Sequence, residues 1–148
     1  MAEIEQQQPE RRQQTYQLIA KLKSERHEVW RLYCDMAKMK PFHATSELQK
    51  NLLQFSQMLI DYISLGHFSV YEHIVAGTER RDGVLSVASK IYPALTETTD
   101  VAVSFNDKYD AVENIDLYDE LERDLSFLGE SLAKRIELED QFCQLMMR

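Results

Sequence analysis

The sequence predicts an all-α fold: an antiparallel up-down bundle of four long helices plus one short helix. Three observations point there. Only four glycines and three prolines occur in 148 residues, too few to punctuate the turns of a β-sandwich or barrel. Gln, Leu, Glu, Ala and Met are abundant, and all of them favour helix. Apolar residues recur three and four positions apart over long segments, and no stretch sustains the alternation of a strand. A chain of this length, 44% hydrophobic, can bury one core and corresponds to one domain. The expected organisation is a flexible leader over residues 1–9, ending at Pro9, and a single bundle over residues 10–148.

The first helix is expected from about Glu10 to Lys38, with Tyr16, Ile19, Leu22, Trp30, Tyr33 and Ala37 near one stripe and Arg26 interrupting it. Pro41 stops it, because proline disfavours helical geometry in the residue before it. Thr45 or Ser46 can cap the second helix, and Glu47 adds favourable charge in its first turn. Leu48, Leu52, Phe55, Leu59 and Tyr62 step by four and three and mark the core face, while Lys50, Gln54, Gln57, Asp61 and Ser64 mark the polar face. Gly66 supplies a C-terminal stop. A short third helix is expected over Phe68–Ala76, then a polar loop over residues 79–83. The fourth helix runs from near Val84 to about Lys108, kinked or broken at Pro93, which removes one backbone hydrogen bond. The last helix, about Asp116–Met147, buries Leu121, Leu125, Leu128, Leu132, Ile136, Phe142 or Cys143, and Met146. Its many charged residues, Glu137, Glu139 and Asp140 among them, read as a solvated face.

Composition excludes several functions. No apolar run approaches the ~18 residues of a membrane span, and the start Met1-Ala2-Glu3-Ile4-Glu5-Gln6 lacks the pattern of a signal peptide. Cys34 and Cys143 are too few and too far apart for a disulfide framework or a zinc site, which fits a reducing cytoplasm. The net charge of −8 is uneven: residues 1–96 balance at +1 and residues 97–148 at −9. An acidic half opposes direct nucleic-acid binding and suits a basic protein partner. No Glu-x-x-His pair exists, since His27 follows Glu25 by two and His73 adjoins Glu72. His43, His67 and His73 lack the spacing of a zinc pair. Phosphate-binding loops and the nucleophile elbow are also missing from the sequence. The expectation is therefore a protein that is not an enzyme and carries no cofactor or metal.

One segment has the look of a contact edge. From Leu59 to Glu72 three aromatics surround a histidine, and Asp61, Ser64, His67 and Glu72 rim the rings. Aromatics rimmed by polar groups suit a protein interface; the plainer alternative is a tight helix–helix corner with Phe68 and Tyr71 as core residues. The stretch Leu59-Ile60-Asp61-Tyr62-Ile63-Ser64-x-Gly66-His67-Phe68-Ser69-x-Tyr71-Glu72 resembles the signature of the Rsd/AlgQ family of anti-sigma factors. The likeness continues at Ala88-Ser89-Lys90-Ile91-Tyr92-Pro93 and from Leu125 through Leu128-Gly129-Glu130, Leu132 and Arg135 to Leu138-Glu139-Asp140.

The resemblance implies a helical bundle that binds the C-terminal region 4 of the primary sigma factor of RNA polymerase. It would sequester that factor from core polymerase and from the promoter −35 element, with no catalysis. A sugar-phosphotransferase carrier protein is implied as a second partner. The implied partner-binding residues are Asp61, Ser64, Gly66, His67, Phe68, Tyr71 and Glu72, supported by Lys21 and Arg26. Where family members often carry Asp-Arg-Trp-Leu in the first helix, this chain reads Ala20-Lys21-Leu22-Lys23. Lys21 keeps the positive charge without arginine's planar fork. Arg26 does match. From the residues alone two other readings stay open: a metal- or haem-binding bundle, tested by metal analysis and an absorption spectrum, and a structural oligomeric bundle, tested by whether polymerase subunits co-purify.

Overall fold

The computed structural model describes residues 2–67, 82–110 and 118–146. Those residues form four helices, α1 (Ala2–Ala37), α2 (Ser46–Ser64), α3 (Asp82–Tyr109) and α4 (Tyr118–Met146), with no strand among them. The short helix expected over Phe68–Ala76 lies outside the described residues. α1 packs on α2, α2 on α3 and α3 on α4, and α4 returns to α1 to close the bundle.

Paired residues give the directions. Tyr33 meets Phe55, and further along Met39 meets Asn51, so α2 runs against α1. Phe55 meets Phe105 while His67 meets Tyr92, so α3 runs against α2. Lys108 meets Asp124 while Thr98 meets Arg135, so α4 runs against α3. The arrangement is up-down-up-down, as expected for helices joined in sequence.

The core follows a three-four repeat in each helix. α2 buries Leu48, Leu52, Phe55, Leu59 and Tyr62, and α3 buries Ile91, Leu95, Thr98, Ala102, Phe105 and Tyr109. Thr45 is the N-cap of α2, its side-chain oxygen accepting from Leu48 N–H at 3.1 Å. This satisfies one of the amide donors that a helix start leaves open. Past Ser64 the backbone widens into a π turn over residues 65–67, with Gly66 buried inside it.

Three expectations change. α1 is helical from Ala2, ahead of the start expected near Glu10, because Pro9 stands among glutamates and glutamines that favour helix. Of the kink or break expected at Pro93, the break is the alternative that falls away: that residue lies inside one continuous helix. Both Pro93 and Ser89, whose carbonyl loses its usual donor, are exposed, so water can take the freed acceptor. The buried stripe of α1 is also rotated from the expected one. It contains Ile19, Leu22, Val29, Leu32 and Met36, while Tyr16 and Trp30 are 42% and 36% exposed. The underlying repeat is 19-22-26-29-33-36, and its phase was masked by the charge at Arg26.

Candidate functional site

Two groups of polar residues stand out, one on the outer edge of α2 and one inside the bundle. The edge is the C-terminal part of α2. Asp61 is exposed, Ser64 and His67 are half-buried, and Gly66 is buried. The His67 ring lies 6.3 Å from that of Tyr92 on α3, which anchors the end of α2 against the neighbouring helix. Phe68, Tyr71 and Glu72 lie outside the described residues. Lys21 is exposed on α1, five residues before Arg26. Asp61, Ser64 and His67 are thus accessible on one helix end, as a contact edge requires, whereas Gly66 faces inward.

Arg26 is only partly exposed and is engaged by carboxylates of α4. Its Nη1 donates to Asp140 Oδ1 at 2.9 Å and lies 3.8 Å from Glu139 Oε1. Burial opposes its charge, but the Asp140 hydrogen bond and the two carboxylates outweigh that and hold the guanidinium above its usual range. Its side chain is only 16% exposed. Arg26 ties α1 to α4.

Behind Arg26 the polar contacts continue through the core. Glu139 and Arg135, both 0% exposed, occupy the α4 positions that continue the repeat 118-121-125-128-132-135-139-142. The Tyr62 hydroxyl donates to Glu139, and Arg135 Nε lies 3.6 Å from Glu139 Oε2. Arg135 Nη1 donates to the hydroxyls of Thr98 at 3.0 Å and Thr99 at 2.9 Å, and toward the Leu95 carbonyl at 3.4 Å. Its guanidinium carbon also sits 5.6 Å from the centre of the Tyr62 ring. Burial and the Glu139 charge push the Tyr62 phenol well above its ordinary value, so it stays a protonated donor. All four helices contribute to this one level. Charged groups so far from water persist because they are paired and hydrogen-bonded.

The reading of Glu139 as part of a solvated face is therefore wrong, and Ile136, placed in the stripe, is only half-buried. The missed signal was the phase of the repeat. Counting three and four onward from Leu132 reaches Arg135, Glu139 and Phe142. Among the described residues no group of three or more His, Cys, Asp or Glu is placed to hold a metal ion. No described helix is long and apolar enough to cross a membrane.

These residues define a class: an all-α up-down bundle with a charged interior level and an accessible edge at the end of its second helix. The chain belongs to the Rsd/AlgQ family, whose model, described as regulator of the RNA polymerase sigma(70) subunit, matches residues 1–147. Proteins called "Regulator of sigma D" are its relatives. One from Yersinia enterocolitica is 35% identical over 123 residues, 80% of this chain and 74% of that protein. Another, from Yersinia pseudotuberculosis, is 35% identical over 80% of this chain and 73% of its own length. A third, from Shigella boydii, is 38% identical over 100 residues, 67% of this chain and 63% of that protein. No solved structure matches the chain.

Proposed function

We propose that this chain is an anti-sigma factor acting in the cytoplasm. It binds region 4 of the primary sigma factor stoichiometrically and without catalysis, and keeps that region from core polymerase and the −35 element. The observation that carries this reading is the family match over residues 1–147. Charge supports it, because a region that reads DNA is basic and residues 97–148 of this chain balance at −9. The accessible end of α2 supports it too, since Asp61 stands free to accept hydrogen bonds from a basic sigma side chain. Ser64 and His67 lie on the same end of α2, Phe68, Tyr71 and Glu72 continue the contact along the sequence, and exposed Lys21 joins it on the strength of the family resemblance. Arg26 acts behind the surface through its hold on Asp140.

The test is binding to the organism's own primary sigma factor, followed by transcription with controlled order of addition. The parent should bind one to one and inhibit most when it meets sigma before core polymerase does. Asp61→Arg should shift stability by no more than about 0.5 kcal/mol and weaken sigma binding by on the order of 2 kcal/mol. Unchanged affinity with an unchanged melting curve removes Asp61 from the site. Inhibition at far below one molecule per sigma refutes sequestration, and a folded parent that ignores sigma in large excess refutes the reading altogether.

A further inference from the structure

One heptad separates two levels of the bundle in every helix: Tyr33 from Arg26, Phe55 from Tyr62, Phe105 from Thr98, and Leu128 from Arg135. The first level is aromatic and aliphatic. The second is a set of charges and hydroxyls, with Glu139 accepting from Tyr62 and lying within ion-pair distance of both Arg26 and Arg135. Such a set is a poor source of stability, because the desolvation of buried charges roughly cancels their attraction. It discriminates strongly between arrangements, however. If one helix slid by a heptad, apolar side chains would meet other apolar side chains at little loss. The same slide would strand Arg135 or Glu139 without its partners in a dry interior, which is costly.

The layer also reaches the contact edge. α2 joins it through the Tyr62 hydroxyl, and Tyr62 is the residue next to exposed Asp61. The bond to Glu139 thereby sets the height and rotation at which α2 presents Asp61, Ser64 and His67. We infer that the Arg26–Tyr62–Thr98–Arg135–Glu139 layer locks the register of the four helices and so positions the α2 edge for its partner, making Glu139 and Arg26 positioning residues that the partner never touches. This rests on the anti-sigma reading for the identity of the partner, but not for the lock itself.

The experiment replaces the layer with apolar residues of similar size in the full chain: Arg26→Leu, Tyr62→Phe, Thr98→Val, Arg135→Met and Glu139→Leu together. The expected variant melts at or above the parent temperature, binds sigma about tenfold or more weakly, and shows doubled or broadened amide resonances from alternative registers. Parent affinity with a single sharp set of resonances overturns the inference. Affinity that merely follows melting temperature, lost and restored together across single and combined variants, also overturns it. If the fivefold variant fails to fold, Tyr62→Phe alone decides. It removes one oxygen, should leave the far-ultraviolet circular dichroism unchanged, and should still weaken sigma binding severalfold; parent affinity there counts against the lock. A parent that does not bind sigma sinks the partner assignment, and the amide spectra of the variants then decide the register lock by themselves.

Discussion

At the level of Phe55 and Phe105 the helices meet through rings: Phe105 is edge-on to Phe55 at 6.0 Å and tilted onto Tyr109 at 4.8 Å. Seven residues away along each helix, about 10 Å at the rise of an α-helix, the same inward positions carry Arg26, Tyr62, Thr98 and Arg135. The backbone phase is unchanged between the two levels; only the chemistry differs. Inward position is fixed by the helix repeat, and the side chain that falls there must find partners whatever its polarity. The aromatic level gains stability from area removed from water. The charged level gains specificity from pairing, at little net stability. A fault at either level should therefore cost much the same, yet be repaired in different ways.

The largest effects test that difference directly. Phe55→Ala removes a fully buried ring and should cost about 3–5 kcal/mol by urea denaturation. Glu139→Ala should cost a similar amount, about 3–5 kcal/mol, because it leaves Arg135 buried beside a lost counter-charge. Adding Arg135→Met to Glu139→Ala should then recover a good part of the loss, since the stranded charge is gone. Truncating Phe105 in the Phe55→Ala background should deepen the loss, since it enlarges the cavity. If both pairs behave alike, the two levels are not built on different physics.

A smaller effect is expected where the levels are joined by a close approach of α1 to α4. The Tyr33 hydroxyl donates to the Leu125 carbonyl at 2.9 Å, and its ring stacks on Trp30 at 5.1 Å. A Cβ built on Gly129 would lie 2.7 Å from Tyr33 Cζ and closer still to the hydroxyl. Gly129→Leu must push Tyr33 aside and should cost about 2 kcal/mol, in the range of overpacked sites. In a Tyr33→Ala background the same substitution should cost much less, and an unchanged cost would show that Gly129 is needed for some other reason.

Legibility in the sequence followed the same division. The apolar repeats of α2 and α4 were readable through Leu132 and again at Phe142 and Cys143, because there the inward positions hold hydrophobic residues. The α2 cap was readable to within one residue, since Thr45 and Ser46 both supply a capping oxygen. The charged level was not, because Arg26, Arg135 and Glu139 sit in runs of charge where an isolated helix would point them at water. Nothing local distinguishes Glu139 from Glu137; only the phase carried over from Leu125 and Leu132 does. In α1 the bulk of Tyr16 and Trp30 drew the stripe toward rings that the fold leaves largely exposed. Of the candidate edge, the sequence identified exposed Asp61 correctly as a polar-face residue. The placement of Arg26 was not legible, because its partners Glu139 and Asp140 lie more than a hundred residues away along the chain.

The smallest effect tests whether the charged level is dry. Cys143 is buried at that end of the bundle, and burial, with the nearby Glu139 charge, pushes its thiol up to about 11 from an ordinary 9.0. Cys34 is exposed on α1 and serves as an internal reference. At pH 8 a disulfide reagent should titrate Cys34 quickly and reach Cys143 only as the chain opens, because the thiolate is the reactive form and burial withholds it. Rapid reaction at both thiols would mean that water enters beside Glu139. The same burial has a signature in stability. A folded value raised above the unfolded one means that the folded chain holds its proton more tightly, so the contribution is fully present below pH 9. It is lost as pH rises from 9 through 11, by on the order of 2 kcal/mol. Tyr62 and Tyr109 are raised as well and weaken the fold in the same alkaline direction, so the parent curve alone does not isolate the thiol. The difference between parent and Cys143→Ala does. Their stabilities should run parallel below pH 9 and converge or cross above it as the parent loses the thiol's share. Curves that stay parallel to pH 11 would place Cys143 in contact with solvent, and the charged level with it.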